Sequence, residues 1–265
     1  MEPPRRPTNY PSDVTDSQWL LLDPLIPPHG IGPRTPVYNR RDLLNAMLFR
    51  ARTGCQWRSL PSDFPPWSSV KNHFYAWRDA KGFERVNDVL REKTRVAEGR
   101  EPEPSLGVLD SQSAKTTSSV PSKTRGFDAG KKIKGRKRHI VVDVLGLVIA
   151  VAVTPADIQD RDAAPTVLAI ARSKSHRLEK VLVDSAYNGP VIAKAERDLR
   201  LKIEQVLRSD DRPGFHPIPK RWVVERTFGW FNHARLFAKD HERTIASAES
   251  WFLLHSAAIM VQRWV

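Results

Sequence analysis

Residues 106–117 read LGVLDSQSAKTT: four mostly apolar residues, then Asp110, then a run of small polar side chains. Apolar residues without polar alternation suit a strand covered on both faces, as in the middle of an α/β sheet. Sites collect at the end of such a strand, because the backbone there is rigid and a ligand can still reach it. A lone aspartate in that place reads first as a turn cap. Further carboxylates converging on it would make it a site.

Two other stretches supply them. KVLVDSAYNGP, 180–190, repeats the pattern with a short apolar strand ending on Asp184, after which Pro190 opens a helix through Ile192, Ala195 and Leu199. In PKRWVVERTFGWFNHAR, 219–235, Val223, Thr227 and Trp230 share one helical face, and Val224, Phe228 and Phe231 the next. Glu225 lies beside these faces, one turn after Arg221 and one turn before Gly229. A surface ion pair with Arg221 is one account of it. The other is a carboxylate sheltered between apolar faces, with Gly229 leaving room for a ligand. Three oxygen ligands near a basic surface are what two Mg²⁺ ions need, and Mn²⁺ can substitute. Such a pair of ions serves in-line displacement at phosphorus.

The basic surface is concentrated. The chain carries a formal net charge of +13 over 265 residues, and between Lys115 and His139 there are nine Lys or Arg and one Asp. That segment is either a solvated charge run or a phosphate-holding edge. In the second case Lys131, Lys132, Lys134, Arg136, Lys137 and Arg138 are delivered toward Asp110, and binding is strongly salt-dependent. It runs into HIVVDVLGLVIAVAV, whose β-branched halves flank a tight turn at Leu145 and Gly146 and predict a hairpin, with Asp143 exposed at the turn. TPADIQDRD, 154–162, predicts a loop and then a helix. Helix capping accounts for Asp160 and Asp162, and Asp157 stands as an outside candidate for the site.

Upstream, residues 1–14 hold four prolines and predict a flexible arm. Thr15 or Ser17 caps a short helix, and a second runs from Asn39 to Thr53, closed by Gly54. Trp57, Leu60, Phe64 and Trp67 form a compact turn before a helix over 68–81. Val70, Phe74 and Trp77 share one face of that helix, while Lys71, Asn72, Tyr75 and Arg78 lie largely off it. This is the layout of a helix-turn-helix reader of DNA, or equally of an amphipathic helix in an ordinary bundle. A further helix, Glu84 to Glu98, leads into GREPEP. The expected organisation is an arm (1–14), an all-α helix-turn-helix-like DNA-binding domain (15–98), a linker (99–105) and an α/β domain (106–265). The single cysteine, Cys55, excludes an internal disulfide and a Cys-based zinc site. The longest apolar run, Val144 to Val153, is about half the length needed to cross a bilayer. No secretory leader pattern opens the chain, so a soluble, cytoplasmic protein is expected.

TGCQWRSLPSDFPPW, LDSQSAKTT, RGFDAGKKIKGRKRHIVVD, TPADIQDRDAA, VDSAYNG and RWVVERTFGWFNHAR, in this order, resemble bacterial insertion-sequence transposases of the DDE type, the fifth group within the larger group-four superfamily. The resemblance implies an RNase H-like catalytic domain with a mixed five-stranded sheet flanked by helices, and a DNA-binding helical region before it. It implies Asp110, Asp184 and Glu225 as the catalytic triad on two divalent ions. Those ions would serve hydrolysis at the transposon ends and then attack of the 3′ hydroxyl on target DNA. Terminal inverted repeats and target DNA are the implied partners, with a homodimer pairing two ends in the nucleoid. The family signature places a tyrosine three positions before an arginine, a glutamate four after it, and a lysine or arginine seven further on. Arg221 and Glu225 fit; Ile218 stands at the tyrosine position and Asn232 at the basic one, with Arg235 close by. A transposase-derived protein that only binds DNA, and a general RNase H-like nuclease, are the competing readings.

Overall fold

The computed structural model describes residues 5–7, 10–28, 37–206 and 222–263. Four helices come first. α1 (Asp16–Leu22) starts at a capping box between Thr15 and Gln18, and α2 (Arg40–Thr53) starts at Asn39 and closes on Gly54 in the left-handed conformation. α3 (Trp67–Asp79) buries Val70, Phe74 and Trp77, the face read from the sequence, and α4 (Gly82–Ala97) follows one tight turn later. The described part of the expected arm is packed down: the Tyr10 ring stacks on Phe64 at 5.1 Å and Arg6 pairs with Asp13 at 2.7 Å.

Among the described residues six strands form one sheet. β1 (Leu106–Lys115) is followed by the short β2 (Gly126–Asp128), β3 (Ile133–Asp143) and β4 (Val148–Pro155). Then come α5 (Asp160–Lys174), β5 (Lys180–Val183), α6 (Pro190–Leu199), β6 (Lys202–Gln205), α7 (Trp222–Asn232) and α8 (Ile245–Gln262). The main order is β4-β3-β1-β5-β6. β3 runs antiparallel to both β4 and β1, β5 runs parallel to β1 and β6, and β2 lies beside the start of β3 on the β4 side. This is the mixed sheet of an RNase H-like α/β domain, with β2 as an addition to the five strands expected.

Alternation along the strands divides the core. Val108, Ile140, Val142 and Leu182 face α7, α8 and the amino-terminal helices. Leu109, Val141, Val181 and Val183 face the other way, onto α5 and α6. The first cluster is continuous with the interior of α2, α3 and α4: Phe74 stacks on Trp251 of α8 at 4.3 Å. The segment 99–105 is a loop, and the helices before it and the sheet after it share one core.

Asp143 corrects an expectation. It is fully buried, accepts hydrogen bonds from the Leu145 and Leu147 backbone N–H groups, and pairs with Arg95 of α4. The turn it holds passes through Gly146 at φ +83°, where a Cβ would lie 2.8 Å from Thr227 Oγ1. On the outer strand, the Val153 N–H donates to the Glu249 carboxylate of α8 at 2.9 Å. No helix among the described residues is long and apolar enough to cross a membrane.

Candidate active site

β1 does not end on Asp110. It continues to Lys115 because β3 pairs with it along its whole length, Asp110 opposite Ile140 and Lys115 opposite Gly135. What ends near Asp110 is the parallel neighbour. Leu106 pairs with Lys180 and Val108 with Leu182, and the same register carried two residues on sets Asp110 beside Asp184. Asp110 shares its sheet face with Val108, and Leu182, two residues before Asp184, shares it too. Both carboxylates are half-buried. Asp110 Oδ1 accepts from the Ser111 N–H at 2.7 Å and Asp184 Oδ1 from the Ala186 N–H at 2.9 Å. Beneath them Tyr187 is buried; burial pushes its hydroxyl well above the usual phenol range, and the charges of Asp110, Asp160 and Asp184 add to that.

Glu225 stands in the first turn of α7, which packs across β1 and β3 on this same face through Val223, Val224 and Phe228. Its setting differs from the sheltered one expected. Glu225 and Gly229 are both exposed, and among the described residues nothing lies within 4 Å of where a Gly229 Cβ would be. Helical spacing tells which residues face the core, but not how far a neighbour covers the flank. Among the described residues no three His, Cys, Asp or Glu side chains converge closely enough to hold a metal ion. Arg221 lies outside the described residues. Asn232 and Arg235 are exposed at the far end of α7.

The basic segment splits in two. Lys131, Lys132 and Lys134 are exposed, whereas Arg136, Lys137 and Arg138 are buried and do not face solvent for a phosphate. This half of β3 is a central strand covered on both faces, so each cation is matched internally. Arg136 binds Asp240 at 3.2 Å and the Thr124 and Glu242 carbonyls at 2.9 Å. Arg138 donates to the Phe237 carbonyl at 2.7 Å and lies over the Phe252 ring, and burial lowers its pKa to about 10. Lys137 meets the Ile158 carbonyl at 2.8 Å and Asp160 at 3.3 Å. Asp157, the outside candidate, packs against Gly126, where a Cβ would fall 1.7 Å from its Oδ1. On α3, Asn72 is exposed and Lys71 half-buried beside the Trp67 and Tyr75 rings. Arg78 is engaged by Asp79 and by Ser247 Oγ at 2.9 Å, and Tyr75 packs on the core.

Two buried polar residues escaped sequence reasoning. Tyr187 follows the second carboxylate by three positions, and its place in VDSAYNG was the available signal. Arg50 pairs with Glu242 at 2.9 Å between the Trp57 and Trp251 rings, a contact across 192 residues that no local pattern announces.

Residues 14–87 match the model of a putative transposase of the IS4/5 family. A putative transposase for insertion sequence element IS402 of Burkholderia cepacia is 32% identical over 119 residues, 41% of this chain and 54% of the relative. A 16.2 kDa protein of the same element is 34% identical over 92 residues, 32% of this chain and 62% of the relative. The chain thus spans between half and two thirds of the length of these curated relatives. Among solved structures, the catalytic domain of Mos1 mariner transposase aligns over 69% of this chain and 89% of its own, at 11% identity and a TM-score of 0.33. The Mos1 paired-end complex with Mn aligns over 94% and 84%, at 12% identity and the same TM-score. Residues 101–261, most of the chain and all of its sheet, match the transposase DDE domain model, and the chain belongs to that family.

Proposed function

We propose that this protein is a DNA transposase that binds the terminal inverted repeats of an insertion sequence, cleaves at its ends and joins the 3′ hydroxyl ends to target DNA. The observation that carries the reading is the strand register that brings Asp110 beside Asp184 on the face crossed by α7. Like charges on adjacent strands repel, and an oxygen-only donor set suits Mg²⁺ or Mn²⁺. Asp110 and Asp184 would hold such ions, with Glu225, at the start of α7, as the third ligand. When bound, the ions activate a nucleophilic oxygen and stabilise the departing one. The chain's own groups do the rest. Lys131, Lys132 and Lys134, with Arg221, hold phosphates, Arg235 and Asn232 line the far end of α7, and Lys71 and Asn72 on α3 face the repeat. Two copies pair two ends, and the work is done on DNA in the nucleoid.

The test is strand nicking of a duplex carrying the element's own end, with Mg²⁺ or Mn²⁺. Asp110→Ala, Asp184→Ala and Glu225→Ala should each lower nicking on the order of 10³-fold while leaving end binding intact. A wild-type protein that binds the end and never nicks it would establish the binding-only reading, a transposase-derived protein without turnover. Nicking of any duplex without regard to the end would favour a general nuclease.

A further inference from the structure

Where β3 begins, the sheet narrows to a two-stranded ribbon in which Phe127 pairs with Lys134 and Asp128 with Ile133. Lys131 and Lys132 are exposed at its tip, and Lys132 holds φ +54°, a conformation that L side chains rarely adopt. The ribbon is tied down at its turn end. Asp128 is buried, accepts from Ser113 Oγ at 2.6 Å and from the Lys131 N–H at 3.0 Å, and lies 3.8 Å from Lys137 Nζ. Phe127 is 55% exposed beside these ammonium groups. A lone exposed aromatic needs no explanation; one presented by a rigid ribbon beside Lys131, Lys132 and Lys134 is a different object.

Its position follows from the register. Alternation along β3 puts Lys134, and so Phe127, on the sheet face of Arg136, Arg138 and Ile140, the face of Asp110. Six residue steps separate Lys134 from Ile140, at most about 20 Å at ~3.3 Å each, and less because the ribbon bends until Asp128 meets Ser113. That is at most about six base steps of duplex at ~3.4 Å.

We propose that the 126–135 ribbon seats duplex DNA, its lysines on phosphates and the Phe127 ring wedged from the minor groove against one base step within about six base pairs of the cut. The proposal rests on the transposase reading and adds to it a contact with a base. An aromatic wedge between lysines suits a strained duplex, because unstacking one step bends the DNA onto more of the protein surface.

The experiment uses the full chain and a duplex carrying the element's own end, with 2-aminopurine placed in turn at each step up to about eight base pairs from the cleavage site. Wild-type binding should raise the fluorescence at one of these steps. Phe127→Ala should lose that signal and bind about tenfold more weakly with an unchanged salt slope and melting temperature. Phe127→Trp should restore both signal and affinity. Replacing Lys131, Lys132 and Lys134 by Gln should instead lower the slope of log K against log salt by about three. If wild-type protein nicks the end and Phe127→Ala matches it in affinity and fluorescence, the ribbon proposal falls and the transposase reading stands. If wild-type protein neither binds nor nicks the end, both fall.

Discussion

Asp110 and Asp184 sit side by side, and such a placement costs a sheet up to about 1 kcal/mol unless a cation lies between the charges. Mg²⁺ or Mn²⁺ is therefore expected to raise the melting temperature of the wild type and not that of Asp110→Asn or Asp184→Asn; a thermal shift titration checks this without any DNA. Glu249 gives a second residue-level expectation. Burial raises its carboxyl to about 7, so the folded state holds a proton that the unfolded state has released above the ordinary range near 4.5. Stability should fall as pH rises from about 4.5 to about 7 on its account. His139 and His255 act oppositely: burial lowers both to about 4, so stability is lost as pH falls from about 6.5 to about 4. Glu249→Gln should flatten the upper limb and stabilise the fold at pH 8 by on the order of 1–2 kcal/mol, read from urea denaturation. The two aspartates were legible because each closes an apolar run. The burial of Arg136 and Arg138 was not, because their partners, Asp240 and Phe237, come from about a hundred residues away.

Among the elements, α4 and the β3–β4 hairpin are joined by one buried ion pair. Arg95→Met would strand the Asp143 carboxylate, which has 0% exposure, at a cost of about 3–5 kcal/mol. Adding Asp143→Asn should recover part of that loss, and equilibrium urea unfolding of the four-member cycle measures how much. Equal losses in the single and double variants would mean that the pair is not coupled. The hairpin itself could be read from its β-branched halves and Gly146. α8 escaped notice for the opposite reason. Buried on nearly every side, it shows no apolar stripe against a polar one, and periodicity has nothing to detect. α3 was readable as an amphipathic helix, but its polar side is partly taken up: Lys71 lies by the Trp67 and Tyr75 rings of its own helix, one turn to either side, and Arg78 reaches Ser247 of α8, which is outside any local window.

At the scale of the molecule, one apolar cluster runs from Val14 through α2, α3 and α4 to the sheet and α8. Full-length protein should therefore unfold in a single urea transition by both fluorescence and circular dichroism. A fragment beginning at residue 99 should expose Trp251 and lose near-ultraviolet dichroism; two separate transitions would instead support independent folding on either side of 99–105. The Glu249 contact has a consequence for handling the protein as well as for its stability. An outer strand with open N–H groups is a template on which another copy can add a strand, and here the Val153 N–H is already occupied by a side chain of the same molecule. Glu249→Gln keeps an acceptor there, whereas Glu249→Ala removes it. The alanine variant should stay folded in dilute solution and yet scatter light increasingly with concentration, a defect of solubility that a melting curve would not reveal.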